Sequence, residues 1–131
     1  MSIEENISAV KNALGGMATL VAVSKTKPAE DILQAYRAGQ RIFGENKVQE
    51  MCAKYEALPK DIEWHMIGHL QSNKVKYIAP FVSMIQSVDS FSLLRKIDAA
   101  AQKAGRTIDC LLEVKIAAED TKYGLTPVEA E

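Results

Sequence analysis

The chain has 131 residues, of which 47% are hydrophobic and 25% charged, and its formal net charge is −1. This length and composition fit one soluble globular domain over residues 1–131. The near-neutral balance excludes the basic surface that nucleic acids or acidic membranes require, and no apolar run approaches the length of a membrane span. We therefore expect neither nucleic acid nor a membrane as a partner.

Cysteines and histidines give no sign of a metal or disulfide framework. Cys52 and Cys110 lack a CxxC spacing, so we expect reduced thiols in a cytoplasmic protein. The acidic start of the chain also lacks the apolar stretch of a secretory signal. His65 and His69 lie across a strand-to-loop junction without a third ligand nearby, which argues against a zinc site.

The first half of the chain predicts helices alternating with short strands. Ser2 and Glu5 have the spacing of a capping box, and apolar residues follow at helical spacing until the Gly15-Gly16 pair. Valine-rich runs predict strands, and stripes of apolar residues between caps and breakers predict helices. The elements that follow are a strand over 18–24, a helix from Pro28 to Gly39, a strand over 41–43, and a helix from Val48 that Pro59 ends.

The second half repeats this alternation. Ser90 caps a predicted helix that Gly105 closes. Thr126 is at the position expected to cap the start of one further predicted helix. The other predicted elements are strands over 62–67, 82–88 and 108–116, and a short helix over 73–78.

Five strand-to-helix alternations with short connections predict parallel strands joined by right-handed crossovers. An open doubly wound sheet and a (β/α) barrel both fit this order. A sheet that binds dinucleotides would carry a glycine fingerprint after its first strand, whereas the turn over 24–28 contains no glycine. A complete eight-unit barrel takes about 250 residues, so this chain has room for only about five units.

The last predicted strand leaves one question open. Glu113 and Lys115 interrupt the apolar run that a parallel strand buried on both faces normally shows. They fit either a polar barrel lumen or a face left in solvent.

Polar residues gather where the predicted strands end, which is where α/β folds bind ligands. Lys25 follows the first strand, and a lysine there can lose its water and act as a Schiff-base amine, although a solvated strand-end lysine is the commoner case. Asn46 is most simply a helix cap, and His65 a hydrogen-bonded core histidine. The remaining candidate residues at strand ends are Lys27, Glu45, His69, Gln71, Asn73, Ser87, Asp89, Asp120, Lys122 and Gly124, all of them polar except the glycine.

Several blocks of the sequence closely resemble signatures of the pyridoxal phosphate homeostasis protein family, whose members resemble the barrel domain of alanine racemase. The first block covers residues 21–28 and reads VAVSKTKP. The others follow in family order and read FGENKVQE (43–50), WHMIGHLQSNK (64–74), SVD (87–89) and KYGL (122–125).

The resemblance implies a (β/α) barrel of the alanine racemase N-terminal type, with about the first five βα units and an N-terminal helix. It also implies that Lys25 forms a Schiff base with pyridoxal phosphate, and that Asn46 and His65 line the cofactor pocket. Lys27 and Lys122 match family lysines near the mouth, where they would attract the anionic cofactor. The resemblance gives His69 no role.

The function that the resemblance implies is intracellular cofactor homeostasis through a reversible Schiff base, without an established turnover. A racemase-like enzyme is the alternative, although racemisation needs a second base, which in the racemases comes from a further domain. A third alternative is a fragment that binds no cofactor. Family members continue beyond the position of Glu131 with their phosphate-binding groups, so we expect the Schiff-base half of the site here and self-association through open barrel edges.

Overall fold

The computed structural model describes residues 2–114 and 116. Helices and strands alternate along this part of the chain as the sequence predicts. The α-helices are α1 (Ile3–Leu14), α2 (Ala29–Arg37), α3 (Val48–Ala57), α4 (Val75–Ile78) and α5 (Phe91–Ala104), with a 3₁₀ turn over Ser72–Lys74 before α4. The strands are β1 (Ala22–Val23), β2 (Ile42–Glu45), β3 (Glu63–Met66), β4 (Met84–Val88) and β5 (Asp109–Leu112).

The five strands form one parallel sheet in the order β1-β2-β3-β4-β5. Consecutive parallel neighbours joined by helices are the arrangement of a (β/α) barrel, which confirms that expectation over a doubly wound sheet. β1 and β5 are shorter than the predicted runs over 18–24 and 108–116. Each has a single neighbouring strand in the described sheet. Fewer of its residues therefore form the inter-strand hydrogen bonds by which a strand is defined.

The two faces of the sheet differ in burial. Phe43, Trp64 and Ile85 lie on the face under the helices, where they pack with helix residues such as Met51 and Ile97 into a single buried cluster. Because successive side chains of a strand alternate between faces, the strand residues next to these three in sequence lie on the opposite face of the sheet, here called the inner face. One aligned row crosses it through all five strands and consists of Val23, Gly44, His65, Met84 and Asp109.

Two helix starts follow the predicted caps. The Ser2 hydroxyl accepts from the Glu5 N–H at 3.1 Å, and the Ser90 hydroxyl accepts from the Leu93 N–H at 3.1 Å. After α5, Gly105 takes the left-handed conformation with φ of 67° that suits glycine. The two serine hydrogen bonds satisfy N–H groups that the first turn of a helix leaves without an internal partner.

Some predictions concern residues outside the described part of the chain: Lys115, Asp120, Lys122, Gly124 and the helix start at Thr126. Glu113 is described and exposed, which fits both a face left in solvent and a barrel lumen that the five described strands leave open. Within the described residues, no helix is long and apolar enough to cross a membrane.

Candidate functional site

The carboxyl ends of β1 to β4 bring two of the predicted site residues, Lys25 and Asn46, to one end of the sheet, here called the rim (residues 24–27, 45–46, 67–69 and 87–89). The first two strand ends are joined by Ser24, whose N–H donates to the Gly44 carbonyl at 3.0 Å and whose hydroxyl donates to the Glu45 carboxylate. The Ile67 N–H then donates to the Glu45 carbonyl at 3.0 Å, which joins the second end to the third.

The third and fourth strand ends are joined in a similar way. The Ser87 hydroxyl donates to the Gly68 carbonyl. Nδ1 of His69 lies 3.2 Å from Oδ2 of Asp89. Neighbouring strand ends are therefore linked in order around the rim, and a ligand bound there would meet a connected set of polar groups.

Lys25 lies in a tight turn directly after β1. The Ser24 carbonyl accepts from the Lys27 N–H at 3.0 Å, and Thr26, the third residue of the turn, has φ of 62°, as in a type II turn. Lys25 and Lys27 are exposed. Within residues 2–114, no hydrogen bond or ion pair engages the Lys25 ammonium, so the described chain presents a free amine and does not desolvate it.

Sequence reasoning missed a buried cluster of charges beneath this turn. Lys54, on α3, places Nζ 2.8 Å from Oε2 of Glu45 and 2.8 Å from Oε2 of Glu50. The Lys54 side chain is 9% exposed, that of Glu45 0% and that of Glu50 25%. The hydrogen bond from Lys54 holds the pKa of Glu50 below its ordinary value. The signal in the sequence was a lysine three residues after Met51, on the buried side of the helix, and four after a glutamate.

Asn46 lies at the rim and does not cap α3. Lys47 occupies the cap position of that helix, without a side-chain hydrogen bond to the first turn, so the capping interpretation is wrong. Asn46 instead packs against Gly68: a Cβ on that glycine would lie 2.8 Å from the Asn46 carbonyl oxygen and 2.9 Å from its Oδ1. Only a residue without a side chain permits this approach between the second and third strand ends.

His65 occupies the inner face of β3, between Gly44 and Met84 in the aligned row. Its Nδ1 lies 3.1 Å from the side-chain nitrogen Nε2 of Gln86. Because that nitrogen can only donate, Nδ1 accepts, and the neutral ring carries its proton on Nε2. Burial lowers the pKa of the imidazole because desolvation disfavours the charged ring. The expected hydrogen-bonded histidine is confirmed, and it lies on the inner face of the sheet.

An apolar surface adjoins these polar groups. A Cβ on Gly44 would lie 2.9 Å from Cδ1 of Ile67 and 3.2 Å from Cγ1 of Val21, so these two side chains close over the glycine. Ligand pockets combine such apolar walls with a few convergent polar groups. Lys25 follows β1, Asn46 follows β2 and His65 lies in β3, so the three lie around this surface on neighbouring strands, and no hydrogen bond or ion pair joins them.

Comparison with known proteins identifies the family. Residues 1–131 match the family described as alanine racemase, N-terminal domain. The chain belongs to this family. It is also 46% identical over 111 residues to the pyridoxal phosphate homeostasis protein of Aquifex aeolicus, with 84% of this chain and 49% of that protein covered. The protein of the same name from Mus musculus is 44% identical over 120 residues, with 84% and 43% covered.

Solved structures agree with this assignment. PipY of Synechococcus elongatus without PLP superposes with a TM-score of 0.90 at 40% identity, over 97% of this chain and 60% of that chain. PipY with PLP bound gives a TM-score of 0.87. Alanine racemase from E. faecalis, at 19% identity and a TM-score of 0.73, shows the shared fold. The expected family is confirmed, and the chain spans about half the length of the curated relatives it matches.

Proposed function

We propose that this chain carries the lysine side of a pyridoxal phosphate site and serves intracellular cofactor homeostasis. The observation that carries the proposal is the free amine of Lys25, held in a fixed turn at the carboxyl end of β1. The similarity of the chain to proteins named pyridoxal phosphate homeostasis protein, and to PipY with PLP bound, supports this choice of ligand.

The residues of the rim fit the aldehyde-bearing side of this cofactor. When bound, pyridoxal phosphate supplies an aldehyde that forms a reversible Schiff base with a lysine amine. Lys25 provides that amine, while Lys27 in the same turn adds positive charge that attracts an anionic ligand. Asn46 and His65 line the pocket in the proposal, and His65 does so as a neutral ring because burial lowers its pKa.

Titration of the protein with pyridoxal phosphate tests this function. We expect a new absorbance band for the wild type, and borohydride reduction followed by peptide mapping should place the label on Lys25. Lys25→Ala should abolish the band. Lys103→Ala is the matched control, because Lys103 is an exposed lysine at the end of α5, and it should bind as the wild type does.

Two other outcomes would each oppose part of the proposal. The absence of a band, or label spread over surface lysines, would contradict cofactor binding by this chain. Racemisation of an amino acid by the loaded protein would favour the racemase-like alternative over a homeostasis role. A cytoplasmic location, and the absence of nucleic acid and membrane partners, stay predictions from composition.

A further inference from the structure

Helix α3 holds both peptide bonds that flank Lys25. The carbonyl of Ser24, in the peptide bond before Lys25, accepts from Nζ of Lys54 at 2.7 Å. The N–H of Thr26, in the peptide bond after Lys25, donates to Oε2 of Glu50 at 2.6 Å. Lys54 and Glu50 are themselves ion-paired at 2.8 Å, one helical turn apart. A single pair of side chains therefore fixes the backbone on either side of the amine.

The body of the fold anchors this pair. Lys54 also bonds the fully buried carboxylate of Glu45, at the end of β2, and that carboxylate accepts from the Ser24 hydroxyl. Charged groups that are buried together and hydrogen-bonded in this way have few alternative arrangements. The cluster connects the turn that carries Lys25 to both β2 and α3.

The conformation of the turn explains why such an anchor is needed. Thr26 is the one residue other than glycine with positive φ in the described chain. A β-branched residue avoids this conformation, and it persists only where surrounding contacts enforce it. The hydrogen bond from the Thr26 N–H to Glu50 is such a contact, because it is available only when that N–H points toward α3.

We infer that Lys54 and Glu50 are positioning residues for Lys25: they fix its two peptide bonds so that its amine meets the ligand aldehyde in a reactive orientation. This inference rests on the proposed function, since it concerns formation of the Schiff base. It predicts that loosening the turn weakens binding that requires the imine more than binding that does not.

Two ligands separate positioning from a purely structural role. Pyridoxal phosphate can form the imine, whereas pyridoxine phosphate, its alcohol analogue, cannot. For Glu50→Ala we expect the affinity for pyridoxal phosphate to fall about tenfold while that for pyridoxine phosphate stays within about twofold, because small misplacements of a reacting group are costly. Amide hydrogen exchange at Thr26, measured without ligand, should become faster.

Matched variants complete the experiment. Glu50→Gln keeps an acceptor for the Thr26 N–H and should restore most of the affinity. Glu50→Asp withdraws the carboxylate from the Thr26 N–H while keeping its charge. It should weaken the binding of pyridoxal phosphate, as Glu50→Ala does, and it tests the inference even if Glu50→Ala folds poorly. Glu56→Ala, an exposed site on the same helix, should behave as the wild type.

The outcomes distinguish this inference from the proposed function. If the wild type binds pyridoxal phosphate and Glu50→Ala binds it equally well, or loses both ligands in equal proportion, the positioning role is wrong while the cofactor site stands. If the wild type forms no adduct at Lys25, the proposed function fails and the positioning role fails with it. A selective loss of pyridoxal phosphate affinity with faster Thr26 exchange supports both.

Discussion

At the scale of single residues, Thr26 shows how local strain and contacts balance in the turn after β1. Its φ of 62° is unfavourable for a β-branched residue, yet its N–H and hydroxyl both find acceptors, in Glu50 and in the Lys25 carbonyl. The backbone cost is therefore offset by hydrogen bonds that need this conformation.

Replacing Thr26 by glycine should stabilise the fold. Removal of the left-handed penalty gains more than the flexibility of glycine costs in the unfolded chain, so we expect the free energy of unfolding to rise by roughly 0.5–1 kcal/mol. Urea denaturation measures this difference. Thr26→Ala keeps the Cβ and should gain less, and a glycine variant less stable than the alanine variant would argue against strain at this position.

Gly68 illustrates a different constraint at the same scale. Its φ is not in the left-handed region, and the requirement for glycine comes from space. Backbone atoms of Asn46 occupy the volume that a Cβ would take, and backbone yields less readily than the end of a flexible side chain. The approach of the second and third strand ends therefore depends on this one residue.

At the scale of elements, α3 contributes more than apolar packing. It buries Met51 in the core and, one turn later, directs Lys54 to the buried Glu45 at the end of β2. Oε1 of Glu45 has no hydrogen-bond partner within the described residues, so Oε2 carries the contacts that compensate its charge. The electrostatic part of the contact between α3 and β2 thus depends on a single buried cation, Lys54.

Removing that cation should be costly. Lys54→Met leaves the Glu45 carboxylate buried without its counterion, and we expect a loss of about 3–5 kcal/mol in the free energy of unfolding. Denaturant unfolding measures it. The double variant with Glu45→Gln should recover part of the loss, because the uncompensated charge is gone. Equal stability of the single and double variants would show that the ion pair is not the cause.

At the scale of the whole molecule, the lowered pKa values of His65, Glu50 and Asp61 make stability depend on pH at the acid end. The pKa of His65 is lowered by burial, so between its ordinary value and the lowered one the unfolded chain binds more protons than the folded protein. The pKa of Glu50 is lowered chiefly by its hydrogen bond to Lys54. The contribution of Glu50 to the free energy of unfolding is complete above the ordinary carboxyl pKa and is lost as the pH falls through its lowered pKa in the folded protein. The hydrogen bond from the Tyr36 hydroxyl lowers the pKa of Asp61 in the same way. All three effects reduce the free energy of unfolding as the pH falls.

We therefore expect the free energy of unfolding to fall on acidification in two steps. The first begins below about pH 6.5, where His65 protonates in the unfolded chain, and the second below about pH 4.5 through Glu50, with Asp61 adding to it at still lower pH. Urea denaturation at a series of pH values measures both. His65→Gln should flatten the first step alone. A stability that rises as the pH falls from 7 to 5 would contradict the burial of a neutral His65.

The open sheet suggests self-association of the 131-residue chain. β1 and β5 each have one neighbour among the described strands, and Val23 on the inner face is 54% exposed. Leu111 and Ile116, near the other edge, are 50% and 89% exposed. Unpaired edges beside apolar surface favour association, so sedimentation should show an average mass that rises with protein concentration. A monodisperse monomer over the whole range would count against it.

Much of the fold and part of the site were predictable because they depend on local pattern. The order of strands and helices follows from hydrophobic periodicity, and the parallel sheet follows from their alternation. Lys25 was singled out because it ends an apolar run. The prediction of Asn46 as a helix cap was wrong, since an asparagine just before a helix has the same sequence pattern whether it caps the helix or packs against a neighbouring strand end.

The sequence by itself determined the alternation of strands and helices, the position of Lys25 after β1, and the family, because these depend on neighbours along the chain. Only the tertiary structure decided that Lys54 and Glu50 hold the peptide bonds around Lys25, and that Asn46 rests against Gly68. Those contacts join residues that are distant along the chain, and no periodicity encodes them. They arise because parallel strands bring their carboxyl ends to the same end of the sheet, which is the rim.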